Sequence, residues 1–445
     1  MRAHQDPERP CNVKRRRRFE RRDLIKRFFQ KAFATDPIEY GHVGVLDGIR
    51  ALSVILVVGF HFWQQSWLWN LYDPSKLRFI GIEDSGMNWI FSTGYVWVDM
   101  MILLTGICLF LPHAAKMIYG NTPLSSPPEF YVKRAARIFP SYYFNIAVLL
   151  IFFVRPADYG GGAGSFFKDL FSHLTFTHMF SKDTYLYTKL NGVLWTVAVE
   201  MLFYLMFPLL AWLFRKAPLL TYIGMNAASL GYYLFVTARH SDDLSFYINR
   251  FPSFLCVFAN GMLAALVIVS LSKNMAQTKY TGLGFTALAI FGLYLMRLII
   301  KYGLNKAQNG QLWQIQNRFM LTFVFAIFIV GACFSFRWFR VLFSNPAARF
   351  FAGISYNLYI WHQLVAIYFK KWKIPYWESA ENLPQRDAGL SWQWKYTVII
   401  WLVSIAVAAA ATYLIEKPLH KLILAGLKKV KEKRAARSNA AKAKT

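Results

Sequence analysis

The amino-acid sequence predicts an all-α protein: a polytopic bundle of about ten transmembrane helices with both termini in the cytoplasm. Three observations lead to this prediction. Of the 445 residues, 56% are hydrophobic and only 17% are charged, which is too apolar a composition for a water-soluble surface. The apolar residues form separate runs near the length that crosses a bilayer. Lys and Arg collect in two tails and in alternate loops.

Ten apolar runs are the candidate spans. In lipid such runs can only be helices, because an isolated strand would leave its backbone polar groups unpaired. The third run is short and the seventh carries Arg297, so these two fit the pattern least well. The runs are 46–62, 89–111, 140–154, 194–214, 219–237, 251–271, 280–300, 319–336, 350–369 and 396–415.

The orientation of the spans follows from the basic residues. With the N-terminus inside, the even-numbered loops face the cytoplasm and hold most of the loop charge, and ten spans return the C-terminus to the same side. The loop after the seventh run lies outside in this arrangement, and its Lys301, Lys306 and Arg318 fit less well. The inner-loop residues are Lys133, Arg134, Arg137, Arg215, Lys216, Lys273, Lys279, Arg337, Arg340 and Arg349.

The net charge of +28 is concentrated in two basic stretches, Lys14 to Lys31 and Lys417 to Lys444. We expect basic cytoplasmic tails at 1–40 and 421–445 that bracket a membrane domain at 41–420. Basic tails beside membrane helices bind anionic lipid, and no nucleic-acid-binding module accompanies the charge. We therefore expect membrane lipids, and no nucleic acid, as partners. Residues 19–33 predict a basic amphipathic helix on the inner leaflet. Its apolar residues include Phe19, Leu24, Phe28 and Phe29.

Two other features favour plain structural roles. The four cysteines form neither a disulfide framework nor a metal-ligand spacing, so we expect small core residues and no metal site. A phosphate-binding loop requires a strand before it and a helix after it. The stretch DYGGGAG from Asp158 has a signal for neither. It predicts a flexible loop between the third and fourth spans.

Ionisable side chains inside the runs are the candidate functional residues, because each costs several kcal/mol in the bilayer core. Arg50 and His61 lie eleven positions apart in the first run. A helix places them within about 20° of each other on one face, roughly 16 Å apart along its axis. Such a stripe suits an elongated phosphate-bearing donor, with its anionic end at Arg50 and its reactive end at His61. The alternative is an interfacial arginine and a packed core histidine.

Three more ionisable residues, Asp99, Glu200 and His362, lie in the second, fourth and ninth runs. We expect them to reach the level of His61 in the bundle interior. A histidine beside a carboxylate is the arrangement that a general base needs, so all four residues are catalytic candidates. The alternative is that each carboxylate pairs with a structural Arg or Tyr and only holds helices together.

Arg134 and Arg137 lie one helical turn apart before the third run. Two guanidinium groups on one helix face form a bidentate phosphate clamp, so these residues join Arg50 as candidates for donor binding. The alternative is that they mark the cytoplasmic end of the span.

Six short motifs occur in order from Asp47 to Leu419. They are LDGIRALSVILVVGFH, VDMMILLTGI, RAARIFP, WTVAVEMLFYLMFP, ISYNLYIWH and EKP. Together they resemble the motifs of the acyltransferase-3 family of integral membrane O-acyltransferases, although Thr196 stands where that family usually has serine.

The resemblance implies a cytoplasmic acyl-CoA co-substrate, usually acetyl-CoA, and no tightly bound cofactor. It implies a hydroxyl acceptor outside, which would be a surface glycan or a related secreted molecule, and a multi-pass location in the bacterial inner membrane. His61 would be the catalytic histidine, as a general base or through an acyl-imidazole, and Arg134 and Arg137 would hold CoA phosphates. Some relatives carry an extracytoplasmic hydrolase-like domain; without one, this chain would act alone or with a separate partner.

Two rival hypotheses come from other classes of protein. A proton-coupled transporter would use Asp99, Glu200 and His362 as a relay, but no pair of interrupted helices in an inverted repeat is evident. An inactive glycan-binding scaffold would not need the candidate arginines and His61, all of which are present.

Overall fold

The computed structural model of the chain describes residues 33–34, 43–66, 68, 88–303, 309–378 and 388–442. Every long element in these residues is a helix, and they contain no β-strand. The predicted N-terminal amphipathic helix lies outside the described residues, except for its last position, Phe33.

Helices of eight residues or more make up most of this part of the chain. They are α1 (Gly44–Ser66), α2 (Trp97–Tyr119), α3 (Pro127–Phe152), α4 (Gly162–Leu174), α5 (Trp195–Lys216), α6 (Pro218–Arg239), α7 (Leu255–Asn274), α8 (Lys279–Leu298), α9 (Gly310–Phe334), α10 (Arg337–Ser344), α11 (Pro346–Lys371), α12 (Gly389–Ala410) and α13 (Lys417–Lys442).

Nine helical segments among the described residues are long and apolar enough to cross a membrane. The remaining predicted span lies in α11, whose 26 residues are also long enough. Its mean hydropathy is lower because it carries Asn357, His362 and Gln363. The predicted polytopic helical bundle is therefore confirmed.

Helix α1 is central, since it packs against α2, α10 and α11. Its contact with α10 requires a glycine at position 48, because a Cβ there would lie 1.8 Å from the Phe343 carbonyl oxygen. The backbone of α10 therefore presses on α1 two residues from Arg50.

Helices α2 and α7 also approach closely through glycines. A Cβ on Gly261 would lie 2.5 Å from the Leu103 carbonyl oxygen, and one on Gly106 would lie 2.9 Å from that of Phe258. Small residues let membrane helices gain close van der Waals contact where no hydrophobic driving force acts. This contact fixes the position of α2, which carries Asp99.

The prediction of a flexible glycine-rich loop after α3 is wrong. Gly162, with φ of +64°, begins α4, which buries Asp169 and His173. The Asp169 carboxylate accepts hydrogen bonds from the Tyr159 and Thr188 hydroxyls, each at 2.7 Å, and lies 3.1 Å from His173 Nδ1. Burial acts to raise the pKa of Asp169, but these partners, His173 foremost, bring it below its usual value. The segment is a folded cap, because a buried ionised carboxylate organises it.

Candidate active site

Two cavities lie along α1 and adjoin each other. The first, of about 80 Å³, is the arginine cavity; the second, of about 440 Å³, is the histidine cavity. Val98 and Tyr359 line both cavities. The polar residues that line the arginine cavity include Arg50, Thr105, Arg137, Thr196, Glu200 and Tyr356. Those of the histidine cavity include His61, Tyr95, Asp99, Asn249, Gln311 and Gln314.

The histidine cavity contains His61, whose ring lies beside that of His362 with 5.1 Å between the centroids. His362 is fully buried, and its Nδ1 lies 2.6 Å from the Tyr359 carbonyl oxygen. Since only an N–H can donate to that carbonyl, Nε2 of a neutral His362 carries the lone pair, and this atom has no hydrogen-bond partner among the described residues. The structure thus places the histidines of the first and ninth predicted spans together.

Asp99 also lines the histidine cavity, but it is paired with Arg318. The Arg318 Nε lies 3.2 Å from the Asp99 Oδ1, and both side chains are buried. The sequence places Arg318 in an outer loop; that prediction is wrong, because α9 begins at Gly310 and carries Arg318 into the bundle. Its charge no longer conflicts with the orientation rule, since a buried carboxylate balances it.

The Arg318 guanidinium also holds the segment between α6 and α7. It donates to the Ile248 carbonyl oxygen at 2.8 Å and to the Ser253 hydroxyl, and it stacks over the Phe254 ring at 4.1 Å from the centroid. Ile248 and Phe254 line the histidine cavity. The ion pair therefore positions one wall of this cavity.

Glu200 lies in the arginine cavity, away from the histidines. Its Oε1 accepts a hydrogen bond from the Tyr204 hydroxyl, and the Thr105 hydroxyl lies 3.5 Å away. Among the described residues, no hydrogen bond joins Glu200 or Asp99 to His61 or His362. The predicted pairing of a histidine with a carboxylate is therefore not what the folded chain forms there.

Arg50 and Arg137 meet in the arginine cavity, one from α1 and one from α3. The Arg50 Nη1 lies 3.3 Å from an Asp47 carboxylate oxygen, and its Nη2 lies 3.2 Å from the Cys108 sulfur. The carboxylate partner orients this guanidinium, and the two arginines together place two positive charges at one end of the cavity.

Arg134 occupies a different place, although it lies one turn from Arg137. Its guanidinium packs over the rings of Phe130 and Tyr204, 5.4 and 5.6 Å from their centroids, and it does not line the arginine cavity. The pair predicted as one clamp is thus split, and Arg50 takes the place beside Arg137.

Tyr359 is a site residue that the sequence did not single out. It lines both cavities, its hydroxyl donates to the Val193 carbonyl oxygen at 3.2 Å, and its own carbonyl oxygen lies 2.6 Å from His362 Nδ1. The available signal was its position three residues before His362, which places both on neighbouring faces of α11.

A polar contact fixes α11 from the other side. The Asn357 amide donates to the Glu416 carboxylate at 2.7 Å and to the Thr412 hydroxyl at 2.9 Å. Both acceptors belong to the π-helical turn Ala411–Glu416 that links α12 to α13. The glutamate of the last motif, EKP, thus anchors the helix that carries His362.

Comparisons with known proteins agree with this geometry. A protein-family model described as an acyltransferase domain matches residues 43–416. A Staphylococcus aureus (strain COL) protein named "Putative O-acetyltransferase" is 23% identical over 336 residues, which are 71% of this chain and 49% of that protein. "Nodulation protein 10" of Rhizobium leguminosarum bv. viciae is 25% identical over 52% of this chain and 62% of its own length.

A third relative, named "Putative acetyltransferase", comes from Acidianus two-tailed virus and is 25% identical over 66% of this chain and 83% of its own length. The chain spans about half the length of the Staphylococcus aureus relatives that it matches. No solved structure matches the chain.

We predict that Asp99→Ala destabilises the protein by about 3–5 kcal/mol, because it leaves the buried Arg318 charge without a partner. Replacing both residues, as Asp99→Ala with Arg318→Met, should recover much of that loss. Thermal unfolding of the purified proteins in detergent measures both effects. Because Met cannot donate the hydrogen bonds of Arg318 to Ile248 and Ser253, the double variant should regain stability without regaining full activity; a double variant as active as wild type would show that the ion pair does not position the cavity wall.

Proposed function

Because the chain belongs to the acyltransferase domain family, we propose that it is a membrane enzyme that transfers an acyl group, expected to be acetyl, from acyl-CoA to a hydroxyl of an extracytoplasmic glycan or related secreted acceptor. One observation carries the proposal. The arginine cavity and the histidine cavity adjoin inside a membrane bundle, so a donor held at one end can present its acyl group at the other.

The arginine cavity suits the donor. CoA carries several phosphate oxygens at one end and a thioester at the other, joined by a long flexible arm. Arg50 and Arg137 offer bidentate donors for phosphate. Arg50 and His61 are separated by roughly 16 Å along α1, a span that suits the extended arm. Glu200, in the same cavity, limits the net positive charge there.

His61 is the residue to which we assign the proton transfer. The acceptor hydroxyl oxygen attacks the thioester carbonyl carbon, its proton passes to the imidazole, the carbon–sulfur bond breaks, and the proton then passes to the departing CoA thiolate. In an acyl-imidazole route the ring nitrogen first bonds to the carbonyl carbon as the carbon–sulfur bond breaks and CoA thiolate leaves; the acceptor oxygen then bonds to that carbon as the carbon–nitrogen bond breaks, and the acceptor proton balances the thiolate charge. His362, locked by the Tyr359 carbonyl and packed on His61, is a positioning residue in either route.

The membrane location supports separate access for donor and acceptor. With the basic tails in the cytoplasm, the arginine cavity lies toward the acyl-CoA pool and the histidine cavity toward the outside, as expected for a bacterial inner-membrane enzyme. A proton-coupled transporter is less well supported, because Asp99, one member of its supposed relay, is already paired with Arg318.

We predict that His61→Ala lowers acyl transfer at least about 100-fold, the usual share of a general base, with little change in thermal stability. The assay is transfer of labelled acetyl from acetyl-CoA to surface glycan by purified protein in liposomes. His113→Ala is the matched control, because His113 also lies in a membrane-spanning helix but lines neither cavity. Similar losses in both variants would remove the assignment of His61.

A second prediction concerns donor binding. Arg137→Lys should raise KM for acyl-CoA by about tenfold while kcat changes less, because one ammonium group cannot reproduce a two-point contact with phosphate. Arg134→Lys should leave KM nearly unchanged, since Arg134 packs on Phe130 and Tyr204 outside the cavity. Steady-state kinetics with saturating acceptor measures both constants. Equal increases in KM would mean that the two arginines share the donor phosphates after all.

A further inference from the structure

We propose that a third cavity, in the folded cap between α3 and α5, binds an uncharged sugar unit of the acceptor, so that the acceptor is a chain of sugars and not a single sugar or a small secreted molecule. The inference rests on the proposed function and narrows its acceptor class. This cavity, the cap pocket, measures about 240 Å³. Two tyrosines, two lysines and two aspartates line it: Tyr159, Tyr187, Lys168, Lys189, Asp169 and Asp183.

The cap pocket lies beside the histidine cavity. Asp183 and Thr184 line the cap pocket and belong to the short helical turn Lys182–Tyr185. The next residue of that turn, Tyr185, accepts a hydrogen bond from the Asn249 amide at 3.1 Å, and Asn249 lines the histidine cavity. A chain that presents one hydroxyl to His61 can therefore place a nearby sugar unit in the cap pocket.

Further contacts fix the cap relative to the histidines. The Lys182 Nζ lies 2.5 Å from the Asp243 carboxylate, in the same segment between α6 and α7 that supplies Asn249. The Asn191 amide, at the end of the cap, donates to the Ile360 carbonyl oxygen at 2.8 Å. Ile360 belongs to α11, the helix that carries His362. The two binding positions are thus held at a set distance, as recognition of a chain requires.

The charges of the cap pocket favour an uncharged ligand. Its two lysines are balanced by its two aspartates, and the Lys168 Nζ lies 2.6 Å from the Asp183 carboxylate. A site for an anion or a cation carries an excess of the opposite charge, because recognition depends on complementary potentials. Charged side chains that are already balanced still offer donors and acceptors to hydroxyl groups.

The two tyrosines supply the flat surface that a sugar ring needs. The Tyr159 hydroxyl donates to the Asp169 carboxylate at 2.7 Å, which fixes the orientation of its ring, and Tyr187 is 69% exposed. A sugar ring has C–H groups on its faces and hydroxyls at its edge, so an aromatic ring beside polar groups matches both. The cap pocket is smaller than the roughly 300 Å³ at which pockets for drug-sized ligands begin, so it suits about one sugar ring.

A second binding position for the acceptor has a kinetic consequence. Binding energy from a sugar remote from the reacting hydroxyl helps to position that hydroxyl, so a truncated acceptor loses kcat as well as affinity. Contact with an aromatic ring is worth up to about tenfold in such a term. Transfer should therefore depend on the length of the acceptor, and this dependence should require the Tyr187 ring.

The test measures acyl transfer against acceptor length. Surface glycan of the source organism is partially hydrolysed, its oligosaccharides are separated by length, and each is supplied with labelled acetyl-CoA to the protein in liposomes. For wild type, kcat/KM should rise at least about tenfold from the single sugar to the longer chains. Tyr187→Ala should remove most of this rise and leave transfer to the single sugar within about twofold of wild type. Tyr187→Phe, which retains the ring, should preserve it.

Tyr376→Ala is the matched control. Tyr376 is 70% exposed, close to the value for Tyr187, and lines neither the cap pocket nor the other two cavities. This variant should show the wild-type dependence on length. The rise should also persist at high salt, because an uncharged ligand makes no ion pair that salt could screen.

The outcomes separate the two claims. A wild-type protein that acylates every length equally, or a Tyr187→Ala variant with the wild-type rise, would overturn the cap pocket as a sugar site. A rise that high salt abolishes, or one that Tyr376→Ala removes as well, would overturn it too. A wild-type protein that acylates none of these acceptors would overturn the proposed function itself.

Discussion

The cost of a charge inside a lipid bilayer organises this protein. Asp99 and Arg318 meet this constraint by pairing, and their contact joins α2 to α9 and to the segment that leads into α7. Arg50 also has a carboxylate partner, Asp47, but Arg50 and Arg137 in addition line a cavity, where we propose that the anionic end of the donor binds them. The same constraint thus accounts for two groups of charges: the Asp99–Arg318 ion pair helps to build the histidine cavity, and we assign Arg50 and Arg137 to donor binding.

The second organising feature is the geometry of α1. Helical periodicity places Arg50 and His61 on one stripe, and neighbouring helices close over that stripe to make two cavities instead of one. Of the residues that the structure describes, Val98 and Tyr359 line both. In the proposed reaction the CoA phosphates therefore bind in the arginine cavity and the acceptor binds in the histidine cavity, and only the acyl group crosses from one to the other.

Much of this architecture could be predicted from the sequence, because apolar length determines the spans and helical period determines the stripe. Arg318 could not be placed correctly. Hydropathy starts its span at Phe319, whereas α9 starts at Gly310, since the polar residues Gln311 and Gln314 face a cavity instead of lipid. Mean hydropathy is averaged over all residues of a helix, so it does not show which face of the helix packs against protein and which faces lipid.

Arg134 and Arg137 show a related limit. The sequence spacing shows that the two residues lie one turn apart, but residues three positions apart differ by about 60° around a helix. This angle directs Arg134 to the Phe130 ring and Arg137 into the arginine cavity. The pairing of His61 with His362 was equally hidden, because depth along two helices can be estimated from sequence while the angle between their faces cannot.

The central claim is that acyl transfer joins a donor from one side of the membrane to an acceptor from the other. It is tested most directly in proteoliposomes of one orientation, established by protease access to the basic tails. Labelled acetyl-CoA is supplied only at the face that bears the tails, and a glycan acceptor only at the opposite face. We expect labelled glycan under this arrangement, and none when acetyl-CoA and the glycan are each supplied at the other face. Product formed only when donor and acceptor share one side would contradict it.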